Sequence, residues 1–429
     1  MTQTDVAFRP TADRASREAR SRLQERVRAA LHAKLARLEA SRVAWHEDGA
    51  ALAFGRPDAS RAARIDVHAP RFYSRLVREG SLGAARAYID GDWSSPDLAA
   101  LLRVVVAEPA LFGGLDGPLA RAASAGRALL APLARNTRRG SRRNIAAHYD
   151  LGDALFERML DPTMTYSSAV FPAPDATLEE AQVEKMDRLC RRLALAPGQR
   201  VLEIGTGWGG FALHAAGRHG ARVTTTTVSR AQYEGARARF ARDPAGRRIE
   251  LLLRDYRDLA GTYDRLVSIE MIEAVGDAFL DGYLRACSER LAPDGAMALQ
   301  AIVIGDQGYE AARRHVDFIK QYVFPGGCLP SVERIARGVA RATDLRFVAL
   351  EDIGAHYAET LRRWRARFDA AEPELRELGF DDAFLRTWRY YLAYCEAGFE
   401  ERHIGCVQIV LAKPGHRPPV PGLSTPLAG

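Results

Sequence analysis

From residue 144 onward, short apolar runs alternate with stretches whose apolar residues recur every three or four positions. "TLEEAQVEKMDRLCRRLAL" opens with Thr177 and Glu180 at capping-box spacing. Met186, Leu189, Cys190 and Leu193 then fall on one helical face, and Pro197-Gly198 ends the helix. "RVLEIG" reads as a buried strand, followed by a glycine-rich turn and the helix "GFALHAAGRHG". "ARVTTTTVS" is a second strand and "RAQYEGARARFARD" a second helix. "IELLLRDY", "YDRLVSIEMIEAVG", "GAMALQAIVIG" and "CVQIVLAKPG" supply further strands. This alternation predicts a doubly wound, Rossmann-like α/β sheet.

The first part of the chain has a different rhythm. Residues 14–40 predict a basic helix, and "RVAWHEDGAALAFG" a hairpin turning at Asp48-Gly49. The following stretch mixes one strand with helices, and Gly80, Gly83 and Gly91 read as turns. We therefore expect a small α+β domain over 1–112, a linker rich in Gly, Ala and Arg over 113–143, and a larger domain over 144–429. The linker ends in a basic cluster, Arg138, Arg139, Arg142 and Arg143. Such a cluster suits a solvated linker or a contact with anionic headgroups.

Composition narrows the class without choosing a substrate. The 429 residues suffice for two or three domains. The net charge of +7 favours anionic partners, whether nucleic acid, lipid headgroups or acidic metabolites. Cys190, Cys287, Cys328, Cys395 and Cys406 form no C-x-x-C pair, so neither a metal nor a disulfide framework is expected. No apolar run reaches the roughly 18 residues of a membrane span. The N-terminus has no apolar core of a signal peptide. These features predict a cytoplasmic protein, peripheral at the inner face of the membrane if it meets one.

Candidate chemistry starts at the turn "VLEIGTGWGG". Gly205, Gly207 and Gly210 satisfy G-x-G-x-x-G. A dinucleotide site also needs an acid about 20 residues on, to hold a ribose. That region reads "TTTTVSRAQ" and has none. Glu203 instead precedes the glycines, where it would repel a pyrophosphate and attract a cationic amino-acid end. S-adenosylmethionine carries an ammonium and a sulfonium and no phosphate, so the turn favours that cofactor over a dinucleotide.

Residues 144–415 resemble the cyclopropane-fatty-acid synthases in "NIAAHYDLGDALFERMLDPTMTYSSAVF", "VLEIGTGWGG", "TVSRAQ", "EMIEAVG", "DFIKQYVFPGGCLPS", "GAHYAETLRRWRARF" and "YYLAYCEAGF", which run in family order. "GSLGAARAYIDGDW" is similar to the N-terminal domain of the longer members. The resemblance implies a class I methyltransferase sheet, S-adenosylmethionine as methyl donor, and methylene addition across a cis double bond of a phospholipid acyl chain. It implies a bound bicarbonate as base, cradled by Ser168, Glu273, Gln300, Tyr357 and the backbone of Ile302. It implies cofactor contacts from Tyr166, Ser167, Glu203, Gly205, Gly207, Trp208, Gly209, Thr227, Ser229, Gln232, Asp255, Tyr256 and Arg257. Cys395 matches a family cysteine; we read it as a small hydrophobe facing the acyl tunnel and not as a nucleophile. Many members have Cys at the position of Ser168 and His at that of Gln300. Gln300 cannot titrate, so it would orient, and Ser168 would act through its backbone N–H.

The implied partners are a bilayer with unsaturated acyl chains and a second copy in a homodimer, with no nucleic acid. The N-terminal domain would serve as lipid contact or dimer surface. Three alternatives remain: an RNA or protein methyltransferase, a lipid-binding protein with a vestigial cofactor site, and the same carbocation chemistry ending in a methylene or methyl branch.

Overall fold

The computed structural model describes residues 20–109, 137, 140 and 153–417. The chain divides into two compact units, Met1–Ala123 and Ser124–Gly429. The four-arginine cluster and the first residues of the predicted basic helix lie outside the described residues.

In the first unit, the helix Arg22–Leu35 begins with a capping box between Ser21 and Gln24. Strands β1 (Ser41–Glu47) and β2 (Ala50–Gly55) form the expected hairpin. Asp48 and Gly49 take φ of 52° and 82°, the left-handed pair that a two-residue hairpin turn requires. β3 (Arg61–Val67) runs parallel to β1, and β4 (Trp93–Ser94) antiparallel to β3, giving the order β2-β1-β3-β4. Alternate residues of β1 face inward, so Val43, Trp45 and Glu47 meet Phe72 and Tyr73 of the helix Arg71–Ile89. Gly91 ends that helix with φ of 79°, as a turn. Gly80 kinks it, but Gly83 is no turn. Gly83 stays within the helix, and it must be glycine because a Cβ there would lie 2.1 Å from the Arg75 carbonyl.

The second unit is built on a seven-stranded sheet: β5 (Arg200–Ile204), β6 (Arg222–Thr227), β7 (Ile249–Leu253), β8 (Tyr263–Ile269), β9 (Leu291–Ile304), β10 (Arg346–Asp352) and β11 (Ile404–Ala412). The order is β10-β11-β9-β8-β5-β6-β7, parallel from β9 to β7 and antiparallel at β11 and β10. Strand alternation sends Leu202, Leu266 and Leu299 into one core, with Tyr283, Leu284 and Ile335. Val201, Val267 and Ala298 enter the opposite core, with Met186, Ala212 and Ala236. Helices therefore cover both faces, as the doubly wound reading expects. The edge strand β10 was not anticipated. Its Phe347, Val348 and Leu350 are exposed, so it lacks the buried alternation that marks a strand.

Candidate active site

The chain leaves β5 for β6 on one side and later adds β8 on the other. The carboxyl ends of β5 and β8 thus flank the point where strand order reverses, the usual crevice of an open α/β sheet.

At the end of β5, Gly205, Gly207 and Gly209 have φ of 106°, 53° and 86°. A Cβ on Gly207 would meet no atom within 4 Å. A Cβ on Gly209 would lie 2.4 Å from the Phe240 ring, and one on Gly210 2.7 Å from the Thr163 carbonyl. The turn thus leaves space for a ligand at Gly207, whereas Gly209 and Gly210 are required by packing. Below the turn, Glu203 is 2 % exposed and accepts from Thr225 Oγ1 at 2.6 Å. Burial pushes its carboxyl up to about 8, against the Thr225 bond and the Lys185 charge.

Several expected cofactor contacts are turned toward the protein itself. The Trp208 ring packs on Phe156, centroids 4.7 Å apart. Thr227 Oγ1 lies 2.8 Å from Gln232 Oε1, and Ser229 caps the helix Arg230–Arg242 through Gln232 N. Asp255 Oδ1 and Oδ2 accept from Arg257, whose guanidinium lies over the Tyr256 ring. Tyr166 hydroxyl meets that of Tyr391 at 2.7 Å, and Ser167 Oγ accepts from Lys185 Nζ at 2.6 Å. The glycine turn with a buried strand-end carboxylate beside it fits S-adenosylmethionine directly.

The expected base cradle holds a protein carboxylate. Glu270 follows β8, its φ at 49°. A left-handed non-glycine residue costs about 1–2 kcal/mol, so its surroundings must fix it there. Glu270 Oε1 accepts from Ser168 N at 2.9 Å and Gln300 Nε2 at 2.8 Å. Glu270 Oε2 accepts from Tyr357 hydroxyl at 2.7 Å. Ser168 does present its backbone N–H here, and Gln300 does orient: its own oxygen accepts from Gln408 Nε2, and Gln408 Oε1 accepts from Arg192. Glu273 lies apart from these three. One of its oxygens accepts from Ile302 N, and Oε2 is buried with no partner.

Burial raises Glu270 above the ordinary carboxyl range, opposed by Tyr357, Lys185, Gln300 and Ser168. Burial, then the charge on Glu270, pushes Glu273 up to about 8. Lys185 is wholly buried, and burial lowers it to about 8 against the charges of Glu270, Asp161, Cys406 and Glu203. Lys185 stands among the carboxyls of Glu270, Asp161 and Glu203. Burial leaves Glu203 and Glu273 holding protons near neutral pH, while the hydrogen bonds to Glu270 favour its charged form against burial. Cys395 takes no part in these contacts; burial holds its thiol well above the usual range.

Sequence reading missed Glu270, although it stands in the quoted block "EMIEAVG". It also missed Lys185, which lies on the buried face of its helix, four residues before Leu189, and is hidden from a hydrophobicity pattern by its charge.

Aromatic rings close the site. Tyr357 stacks on Phe399 at 4.4 Å, and Tyr166 lies against Phe156 and Trp364.

A sheet of this order, with this turn and carboxylate, has the S-adenosylmethionine-dependent methyltransferase fold. Comparison with known proteins takes the assignment further. Residues 136–409 match the family model described as mycolic acid cyclopropane synthetase, and the chain belongs to that family of one-carbon transferases. It is 40% identical to the tuberculostearic acid methyltransferase UfaA1 of Mycobacterium tuberculosis, over 86% of this chain and 87% of that one. It is 37% identical to the cyclopropane-fatty-acyl-phospholipid synthase of Escherichia coli K12, over 82% and 89% of the two chains. The structure of mycolic acid cyclopropane synthase CmaA1 complexed with SAH and CTAB covers 63% of this chain and 98% of its own, at 31% identity and a TM-score of 0.59.

Proposed function

We propose that the protein transfers a one-carbon unit from S-adenosylmethionine to the cis double bond of an unsaturated phospholipid acyl chain, closing a cyclopropane ring. The observation that carries this reading is a buried carboxylate, Glu270, held by the Tyr357 hydroxyl among packed aromatic rings. An alkene is a weak nucleophile, and the bound cofactor supplies the electrophile, its sulfonium methyl. The protein holds the two at reactive distance, which can lower a barrier by several kcal/mol. Attack leaves a cation on the acyl chain. The faces of Tyr357, Phe399, Tyr166 and Trp364 suit a cation and exclude water, which would convert it to an alcohol. An oxygen base seated among Ser168 N, Gln300 and Tyr357 then removes a proton from the new methyl group. The C–H electrons close the ring, and the base leaves protonated.

A second reading is favoured by the relative named for tuberculostearic acid. The same cation, after a hydride shift to the carbon bearing the new methyl and loss of a proton from that methyl, gives a methylene branch that a reductase could convert to methyl. Mass spectrometry of acyl methyl esters, from a host expressing the protein and fed oleate, separates ring, methylene and methyl products. Label from S-adenosyl-[methyl-³H]methionine in RNA and none in lipid would overturn both readings.

The substrate reading requires a membrane approach, since each CH₂ drawn into water costs about 0.8 kcal/mol. Among the described residues no helix is long and apolar enough to cross a membrane. We assign docking to the chain's positive charge, with the sequence cluster Arg138, Arg139, Arg142 and Arg143 as its candidate. The N-terminal unit supplies a second lipid contact or a dimer surface. Vesicle binding should rise with anionic lipid, fall with NaCl, and drop when the four arginines become Ser. Equal co-sedimentation of both proteins at low salt removes the arginines from the docking surface.

A further inference from the structure

We propose that the base is the protein's own Glu270, so that the reaction needs no bicarbonate. This inference rests on the cationic mechanism above and concerns which atom takes the proton.

The donors themselves make the argument. Ser168 N, Gln300 Nε2 and Tyr357 hydroxyl are three groups expected to hold a small oxyanion, and all three are committed to Glu270. A carboxylate has two oxygens and about four acceptor directions. Oε1 accepts three hydrogen bonds, from Ser168 N, Gln300 Nε2 and, at 3.8 Å, Cys406 Sγ, and Oε2 accepts one from Tyr357, leaving a lone pair on Oε2 for an incoming proton. The amide of Gln300 cannot turn over to offer its oxygen, because that oxygen is held by Gln408, itself held by Arg192. Gln300 is thereby fixed as a donor.

Position and charge agree with the assignment. Glu270 ends β8, and the next residue, Met271, lies 3.4 Å from where a Cβ on Gly205 would stand. The segment that carries Glu270 therefore borders the glycine turn. Lys185 lies in the same buried group and supplies the compensating charge. Glu273 is unsuited to the same task while Glu270 is ionised, since the charge on Glu270 helps keep it protonated. Its unpartnered Oε2 then carries a hydroxyl that can donate into the site. In the step, a C–H bond of the methyl group attached to the cation breaks, its electrons form the third ring bond, and Glu270 Oε2 gains the proton. The proton later leaves to water as product departs.

The test uses the full-length protein, vesicles containing oleoyl phospholipid, and buffer sparged free of carbon dioxide. Wild type should incorporate labelled methyl into lipid at an unchanged rate with or without added bicarbonate. Glu270→Gln should lose about 10²-fold or more in kcat, the range of general-base catalysis, while calorimetry shows cofactor affinity within twofold of wild type. Glu270→Gly tolerates the positive φ and vacates the seat among the three donors. Added bicarbonate or formate should restore part of its activity, which a merely structural role for Glu270 would not permit. Wild-type turnover that collapses without bicarbonate and returns with it overturns the proposal, and so does full activity in Glu270→Gln. If wild type labels no lipid under either condition, the acyl-chain reading itself fails and this inference with it. Labelled lipid with strict bicarbonate dependence sinks the inference alone.

Discussion

Each unit of the molecule buries a glutamate against a tyrosine hydroxyl, and the two pairs have opposite surroundings. In the N-terminal unit Tyr73 donates to Glu47 at 2.7 Å, and in the catalytic unit Tyr357 donates to Glu270 at the same distance. Glu47 is surrounded by cation: Arg28 Nε at 2.6 Å and Arg20 at 2.8 Å, with Trp45 Nε1 beyond. Burial pushes Glu47 up, but Arg28, Tyr73 and Arg20 outweigh it, and its carboxyl sits below the ordinary value. Around Glu270 the carboxyls of Asp161 and Glu203 share Lys185, and burial wins. The first arrangement spends its charges on holding a fold. The second keeps a surplus of proton acceptors poised near neutrality, which is what proton transfer needs.

The comparison breaks most sharply in stability. Glu47→Gln should cost the N-terminal unit about 3 kcal/mol, the scale of a broken buried pair, with kcat unchanged wherever the protein stays folded. The pH responses should also run in opposite directions. Glu47 has a folded pKa below its unfolded one. Its contribution is present above about pH 4.5 and is lost as pH falls through the lower folded value. Glu203 and Glu273 are raised to about 8, so the folded state binds more protons than the unfolded one between about pH 4.5 and 8. Their effect favours folding in acid and is lost as pH rises through that window. Calorimetric scans should show wild type gaining acid sensitivity from Glu47 and Glu47→Gln losing it. Identical acid limbs would end the contrast.

Lys185→Met comes next. It removes the cation that lowers Glu270, so Glu270 should lose its proton only at higher pH. The rising limb of the pH–rate profile should shift upward, with kcat at pH 7 reduced about tenfold or more. A limb that stays in place would separate Lys185 from the base.

A gentler effect belongs to Glu203. It holds a proton near pH 7, and a cationic ligand beside it would release that proton. Cofactor affinity should rise between pH 6 and 8, by at most about tenfold per unit, and Glu203→Gln should flatten the rise. Titration calorimetry in buffers of different ionisation enthalpy measures the proton directly; none released would detach Glu203 from the cofactor.

Periodicity made most of this fold legible. The capping box at Thr177, the hairpin at Asp48-Gly49 and the parallel strands all stand where local chemistry put them. β10 escaped because an edge strand with exposed Phe347, Val348 and Leu350 carries no inward face. The site was legible as residue types and illegible as partners. Tyr357, Gln300 and Ser168 are expected around a bound anion, and in the structure all three donate to Glu270, placed by a left-handed turn that no periodicity encodes. Thr227, Ser229 and Gln232 are legible as polar residues at a strand's mouth, but not the bonds they make to one another and to the helix start that Ser229 caps. Lys185 is apolar in position and charged in kind, so a hydrophobicity pattern assigns it to the surface.

The smallest effect distinguishes two glycines of one turn. At Gly209 a Cβ would enter the Phe240 ring, so Gly209→Ala must displace the ring or the turn, a packing change costing about 1–3 kcal/mol. At Gly207 the space is open, and only the φ of 53° opposes a side chain. Gly207→Ala should therefore lower stability by about 1 kcal/mol, less than Gly209→Ala does. Its larger effect should be on the cofactor, because the added methyl enters the space the turn leaves. Gly207→Val should weaken binding further, with little additional loss of melting temperature. The two readouts thus diverge at Gly207 and move together at Gly209, where affinity falls only as the turn itself is disturbed. Unchanged cofactor affinity in Gly207→Val would mean that the open space beside this glycine is not where S-adenosylmethionine lies.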